Sequence, residues 1–142
     1  MKHLYILLFM FLGLFLNIHA QQDEWKTYYE KSGKTATPRY AETLAFLERL
    51  EIQSEAVNMA DFGLSPQQRP LKYVIYDRDG LTDPDDIKAS GRVLLMVQAG
   101  IHPGESEGKD AMLILLRDQV IERKHEALFE HLSLLFIPVF NV

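Results

Sequence analysis

Apolar and polar positions alternate with different periods along this chain, and the periods divide it into elements. Leu4 to Ile18 is almost wholly apolar, broken only by Gly13 and Asn17. Further on, Tyr40, Leu44, Leu47 and Leu50 recur at helical spacing with Arg39, Glu42, Glu48 and Arg49 between them. Thr37-Pro38 reads as the N-cap and first helical position of that amphipathic helix. Ala56 to Phe62 alternates moderately, Gly63 to Pro70 is rich in turn residues, and Leu71 to Tyr76 has the β-branched and aromatic content of a strand. Val93 to Gln98 and Leu132 to Phe140 are continuous apolar runs, the mark of strands covered on both faces. Between them, Ala111, Leu113, Leu115, Leu116 and Val120 suggest a helix from about Ser106 to Ile121. Strand, glycine-bearing loop, helix and strand make a βαβ unit with parallel strands. The expected fold class is α/β, with a mixed, mainly parallel sheet between helices, incomplete at the C-terminus.

The first apolar run belongs to export and not to the fold. A basic start (Met1-Lys2-His3), an apolar stretch of roughly 15 residues and Ala20 before Gln21 are the parts of a secretory signal peptide. A membrane span needs about 20 apolar residues. The expected organisation is a signal peptide at 1–20, a polar, extended lead-in at 21–36 and an α/β unit at 37–142. The mature chain is expected to be secreted or periplasmic, with no stable membrane anchor after cleavage. Signal removal takes one lysine, so the formal net charge falls from −5 to −6. An acidic chain with 15 Lys and Arg residues argues against nucleic-acid binding, which needs a basic face. The absence of cysteine excludes disulfides, a cysteine nucleophile and thiolate metal ligation.

The candidate chemistry lies in the loop after the first buried strand. Gln98-Ala99-Gly100-Ile101-His102-Pro103-Gly104-Glu105 places an imidazole and a carboxylate three residues apart, where ligands bind in parallel sheets. With Glu105 on the first helical turn and His102 in the loop before it, both side chains converge on one point. Neutral imidazole and carboxylate are natural zinc ligands, and catalytic zinc takes three protein ligands and keeps one position for water. Gly100 and Gly104 permit an unusual backbone there.

The segment from Gly100 to Ala111 resembles the zinc-ligand segment of the carboxypeptidase A-like zinc carboxypeptidases. The glycine before Glu105 is similar to an exported bacterial branch of that family. Thr37-Pro38-Arg39-Tyr40, Phe62-Gly63-Leu64-Ser65 and Phe136-Ile137-Pro138-Val139-Phe140-Asn141 resemble other segments of the branch, so the likeness spans most of Thr37 to Val142. It implies Zn²⁺ as cofactor, His102 and Glu105 as two of three metal ligands, and hydrolysis of peptide bonds near the C-termini of peptides or proteins. In the family the third ligand, the general-base glutamate and the carboxylate-binding arginines follow the strand that ends here. The chain is therefore expected to be the N-terminal part of such an enzyme, with no catalytic residue of its own and inactive alone.

Other constellations are weaker. His125-Glu126-Ala127-Leu128-Phe129 has phenylalanine where a second zinc-binding histidine should stand, and His131 lacks an upstream histidine partner. Both histidines are expected to be solvated helix residues. Asp77-Arg78-Asp79-Gly80 begins like a calcium loop, but Leu81 stands in place of an oxygen ligand and no glutamate closes it, so a solvated turn is expected. Glu107 is expected as a helix N-terminal charge favoured by the dipole, and Lys109 and Asp110 as surface residues. The alternatives are an amidohydrolase of the related N-acyl amino acid deacylase branch, which has His-Gly-Asn-Glu where this chain has His-Pro-Gly-Glu, and a non-catalytic exported binding module.

Overall fold

The computed structural model describes residues 24–142. The apolar run from Leu4 to Ile18 and the expected cleavage point after Ala20 lie outside the described residues. The described part begins with a short helix α1 (Tyr28–Lys31), then α2 (Tyr40–Gln53) and the strands β1 (Val57–Leu64) and β2 (Pro70–Tyr76). Next come α3 (Pro84–Ala89), β3 (Val93–Gln98), α4 (Glu107–Glu122), α5 (Glu126–Phe129) and β4 (Leu132–Ile137). The four strands form one sheet in the order β1-β2-β4-β3. β1 and β2 form an antiparallel hairpin, β2 pairs antiparallel with β4, and β3 pairs parallel with β4 from Val93↔Leu132 to Gln98↔Ile137. The fold is thus the expected α/β class with a mixed sheet; among the described strands the β3-α4-β4 crossover supplies one parallel pair beside two antiparallel ones, so the described part is not mainly parallel.

The register decides which side chains share a face. Val57 stands opposite Tyr76, Val74 opposite Phe136, and Tyr76 opposite Leu134, so these five project to one side. They join Leu47 and Leu50 of α2 and Leu113 and Leu116 of α4 in one hydrophobic core. Burying an aliphatic side chain of this size contributes about 1.5–3 kcal/mol. Several boundaries moved from their expected places; β4, for one, ends at Ile137 and not at Phe140. A bulge at Phe62 lets β1 run on through Gly63 to Leu64 instead of ending in a turn. Helix α2 starts at Tyr40, because the Arg39 N–H is taken by the Glu42 carboxylate at 2.8 Å. Thr37, the expected cap, turns its hydroxyl to Asp110 instead.

The lead-in is not extended. Thr27 caps α1 in a reciprocal box with Glu30, and Arg117 of α4 holds the Glu30 carboxylate through both Nη atoms, at 2.9 and 3.2 Å. Trp25 is buried edge-on to Phe46, with the Arg49 guanidinium 4.4 Å from its ring centroid. The polar residues of this segment are polar because they serve the ion pair and the caps, while the single tryptophan provides the apolar anchor.

The turn after β2 is solvated at Arg78 and Asp79, as expected, but its first residue is not. Asp77 is fully buried and holds together parts distant in sequence. Its Oδ1 accepts from the backbone N–H groups of Asp79 at 2.9 Å and Leu81 at 3.1 Å. Arg92, just before β3, donates to both of its oxygens, and the Ser133 hydroxyl of β4 donates to Oδ2. The aspartates of the apparent calcium loop are therefore spent on an internal network, with Asp79 also accepting from Arg92 at 2.7 Å.

β3 departs most from its sequence pattern. Val93, Leu95 and Met96 are 65%, 46% and 61% exposed, although the run reads as doubly covered. The strand lies at the sheet edge, paired with β4 alone among the described strands.

Burial by itself would raise the Asp77 carboxyl, but Ser133, the two backbone N–H groups and Arg92 outweigh it and hold the group below its usual range. A depressed folded-state value stabilises the fold above the unfolded value of about 3.9, and that contribution is lost as pH falls through the folded value. Asp77→Ala should cost about 3–5 kcal/mol, because it removes the buried acceptor of Ser133 and two backbone N–H groups and leaves the buried Arg92 with only the exposed Asp79. Denaturant titrations should show that loss at neutral pH and a flatter decline of stability below about pH 4 in the variant than in the wild type.

Candidate metal centre

The parallel pairing of β3 with β4 brings the C-terminal ends of both strands to one edge, and the candidate ligands follow from there. After β3 the chain stays bound to the segment leaving β4. Ala99 N–H donates to the Ile137 carbonyl, Phe140 N–H to Ala99 and Asn141 N–H to Gly100, all at 2.9–3.0 Å. The Asn141 side chain reaches the Ile101 carbonyl at 3.3 Å. Gly100 has φ +63°, and a Cβ there would stand 3.2 Å from Val139 Cα. Both observations call for glycine at this position. Gly104 has no such constraint: its φ is not left-handed and an added Cβ would meet nothing within 4 Å.

The loop then turns once, with Glu105 N–H donating to the His102 carbonyl at 3.0 Å. This turn sets the two side chains together, with His102 Nδ1 2.9 Å from Glu105 Oε1. Both are largely in solvent, at 74% and 67% side-chain exposure. The expected convergence is present. Glu105, however, is not on the helix: Ser106 is the N-cap and α4 begins at Glu107. The carboxylate owes its position to the loop turn and not to helical phase.

The start of α4 is anchored by residues expected at the surface. Lys109 and Asp110 are both buried. Asp110 Oδ1 accepts from the Thr37 hydroxyl at 3.0 Å, and the Lys109 ammonium donates to the Pro38 carbonyl. Burial pushes the Lys109 amine down, against the charges of Asp110 and Glu42. Burial pushes the Asp110 carboxyl up, against the Thr37 hydroxyl and the Lys109 charge and with Glu107 assisting. The segment 37–38 crosses this first turn and covers it. Helical phase carries the missed signal, because positions 109, 113, 116 and 120 share one face and Leu113 and Leu116 are core. Glu107 remains exposed in the first turn, where a negative charge suits the helix dipole.

The other histidines stand apart from this pair. His125 caps α5, with its backbone N–H given to Gln119 Oε1 at 2.9 Å. His131 is exposed and lies between α5 and β4 instead of on a helix, its carbonyl accepting from Val93. Among the described residues no group of three or more His, Asp or Glu side chains is placed to hold a metal ion. The His102–Glu105 pair suits two corners of one. Ligand atoms at about 2.0–2.1 Å from a tetrahedral zinc stand about 3.3 Å apart, so a shift of a few tenths of an ångström would admit the ion. None of the described helices is long and apolar enough to cross a membrane.

Two backbone predictions follow from the loop. Gly100→Ala should lower stability by about 1–3 kcal/mol and disturb the contact with Val139. Gly104→Ala should be neutral within about 0.5 kcal/mol. Thermal denaturation of both variants checks the contrast, and equal effects would contradict the backbone geometry described.

Comparison with known proteins bears on the fold and the family. The crystal structure of the carboxypeptidase A from Helicoverpa armigera superposes with a TM-score of 0.60 at 17% identity, over 86% of this chain. The chain spans 31% of the length of that protein. No curated protein matches the chain by sequence. The family model described as zinc carboxypeptidase matches residues 43–142, which include β1 to β4 and the His102–Glu105 loop. Over that match, the chain belongs to the zinc carboxypeptidase family.

Proposed function

We propose that His102 and Glu105 are two protein ligands of a catalytic zinc ion in an exported metallocarboxypeptidase that hydrolyses peptide bonds near the C-terminus. The observation that carries this reading is the 2.9 Å convergence of His102 Nδ1 and Glu105 Oε1 at the C-terminal edge of the parallel strand pair. When bound, zinc polarises a peptide carbonyl and lowers the pKa of its bound water toward about 7.

The chain's own residues hold and orient. His102 would offer an imidazole nitrogen and Glu105 a carboxylate oxygen, each giving up the hydrogen bond between them to the ion. The one-turn loop closed by the Glu105 N–H fixes their separation before the metal arrives. Gly100 and the bonds from Phe140 and Asn141 hold that loop to the sheet, and the Lys109 and Asp110 contacts hold the helix that follows it. The third ligand, the general base and the groups that hold the substrate carboxylate belong, in this proposal, to the larger enzyme. The 31% share of the relative's length supports that division. The 142-residue chain alone is then inactive. The exported bacterial-type branch is favoured by the His-Pro-Gly-Glu sequence and by the signal-like residues 1–20.

In the complete enzyme, His102→Ala and Glu105→Ala should each weaken zinc binding by about 100-fold or more, since even an outer-shell partner is worth 10- to 100-fold. Nearly all hydrolysis should go with it. His125→Ala and His131→Ala should keep zinc near wild type by elemental analysis. Zinc loss in the second pair and retention in the first would overturn the assignment.

Export is checked separately. Mass spectrometry of the mature protein should find Gln21 at the N-terminus, free or cyclised to pyroglutamate. A membrane-bound product that retains Met1 to Ala20 would contradict the signal-peptide reading.

A further inference from the structure

A cleft of about 490 Å³ opens beside the proposed metal loop, between the N-terminal segment and the start of α4. Its walls include Tyr28, Tyr29, Lys34, Arg39, Ser106 and Asp110. Ser106 directly follows Glu105, so the cleft edge lies one Cα–Cα step, about 3.8 Å, along the chain from the proposed ligand. Its far wall is held in place across more than seventy residues of sequence by the Thr37–Asp110 and Pro38–Lys109 hydrogen bonds.

The charges of this cleft are unequal in what they leave free. Asp110 is satisfied internally by Thr37, with Lys109 4.0 Å away. Lys34 and Arg39 are exposed, and among the described residues neither side chain pairs with a carboxylate. The larger cleft, at the other end of β4 near Tyr76 and Phe129, differs in this respect. There Arg78 stands 4.0 Å from Asp79, and Arg123 is paired with Glu126. Two cations unpaired among the described residues and two tyrosine rings in one cleft, beside the proposed metal loop, suit a flexible chain that carries a carboxylate. The rings supply apolar contact and hydroxyl donors, and the cations supply charge complementarity.

We propose that this cleft is a substrate subsite that takes an acidic side chain of the peptide whose scissile bond lies at the metal. The inference rests on the zinc carboxypeptidase reading for the place of the scissile bond, but binding in the cleft can be measured without metal. The probes are dye-labelled hexapeptides with an amidated C-terminus, one with two glutamates and one with glutamines in their place, and a third with glutamines and a free C-terminus. Fluorescence anisotropy is read against the full chain in chelator.

The glutamate peptide should bind about fivefold or more tighter than the glutamine peptide, as expected of two part-exposed charge pairs. The difference should shrink in about 0.5 M salt. It should vanish in the Lys34→Asn/Arg39→Gln double variant, in which asparagine tolerates the left-handed backbone at position 34, where φ is +66°. Unchanged Trp25 fluorescence and melting temperature would show that the variant is folded. His102→Ala should keep the preference. Equal binding of the glutamate and glutamine peptides, a glutamate preference that survives in the double variant, or a preference that follows the free C-terminus would each overturn the subsite. Zinc retained by His102→Ala together with an intact glutamate preference would instead sink the metal reading and leave the subsite standing.

Discussion

The buried carboxylate of Asp77 is the constraint on which the arrangement of strands depends. It stands just after β2 and accepts from Arg92 at the entry to β3 and from Ser133 at the entry to β4. An ionised group with no solvent exposure is tolerable only when its oxygens are fully occupied by donors, and here five protein groups donate to them. One consequence is register. With the starts of β3 and β4 tied to one carboxylate, Val93 meets Leu132 and the two strands run in step to Gln98 and Ile137. Their far ends therefore finish side by side. The loop that carries His102 and Glu105 leaves the sheet where the segment after β4 can bind it.

That opposition of ends separates stability from chemistry. At the Asp77 end, charges are buried and paired within the chain. At the other end, His102 and Glu105 are mostly solvated, and among the described residues their side chains pair only with each other. In the role proposed for them, a metal ligand must be free to exchange its partner for the ion, so exposure and a single hydrogen bond suit these two residues, as full satisfaction suits Asp77. The rigidity they require comes from the backbone: Gly100 against Val139, the one-turn closure at Glu105, and the buried anchors of α4.

The sequence pattern was legible where one element sets its own environment. Helix α2 follows from the spacing of Leu44, Leu47 and Leu50, β2 from its β-branched and aromatic run, and the His102–Glu105 convergence from spacing and position after a strand. It was illegible where a polar residue is buried by something distant. Lys109 and Asp110 look like surface charges until the segment at 37–38, more than seventy residues earlier, crosses over them. Asp77 looks like a turn aspartate because its partners Arg92 and Ser133 lie 15 and 56 residues away. Trp25 and Glu30 read as part of a polar lead-in because Phe46 and Arg117 belong to other elements. Local period reports which face is apolar, but it does not report which charge will find a partner.

β3 shows the opposite mismatch. Val-Leu-Leu-Met-Val is a composition for a strand buried on both faces and flanked on both sides. In the described fold it has one strand neighbour, and Val93 and Met96 are mostly solvated. An exposed apolar edge strand is a template for further pairing, which natural proteins usually blunt with charge, proline or cover. No Lys, Glu or Pro interrupts this strand. Apolar content without cover is the expected state of a strand whose sheet extends further in the complete protein. That inference agrees with a chain that spans 31% of the length of its structural relative.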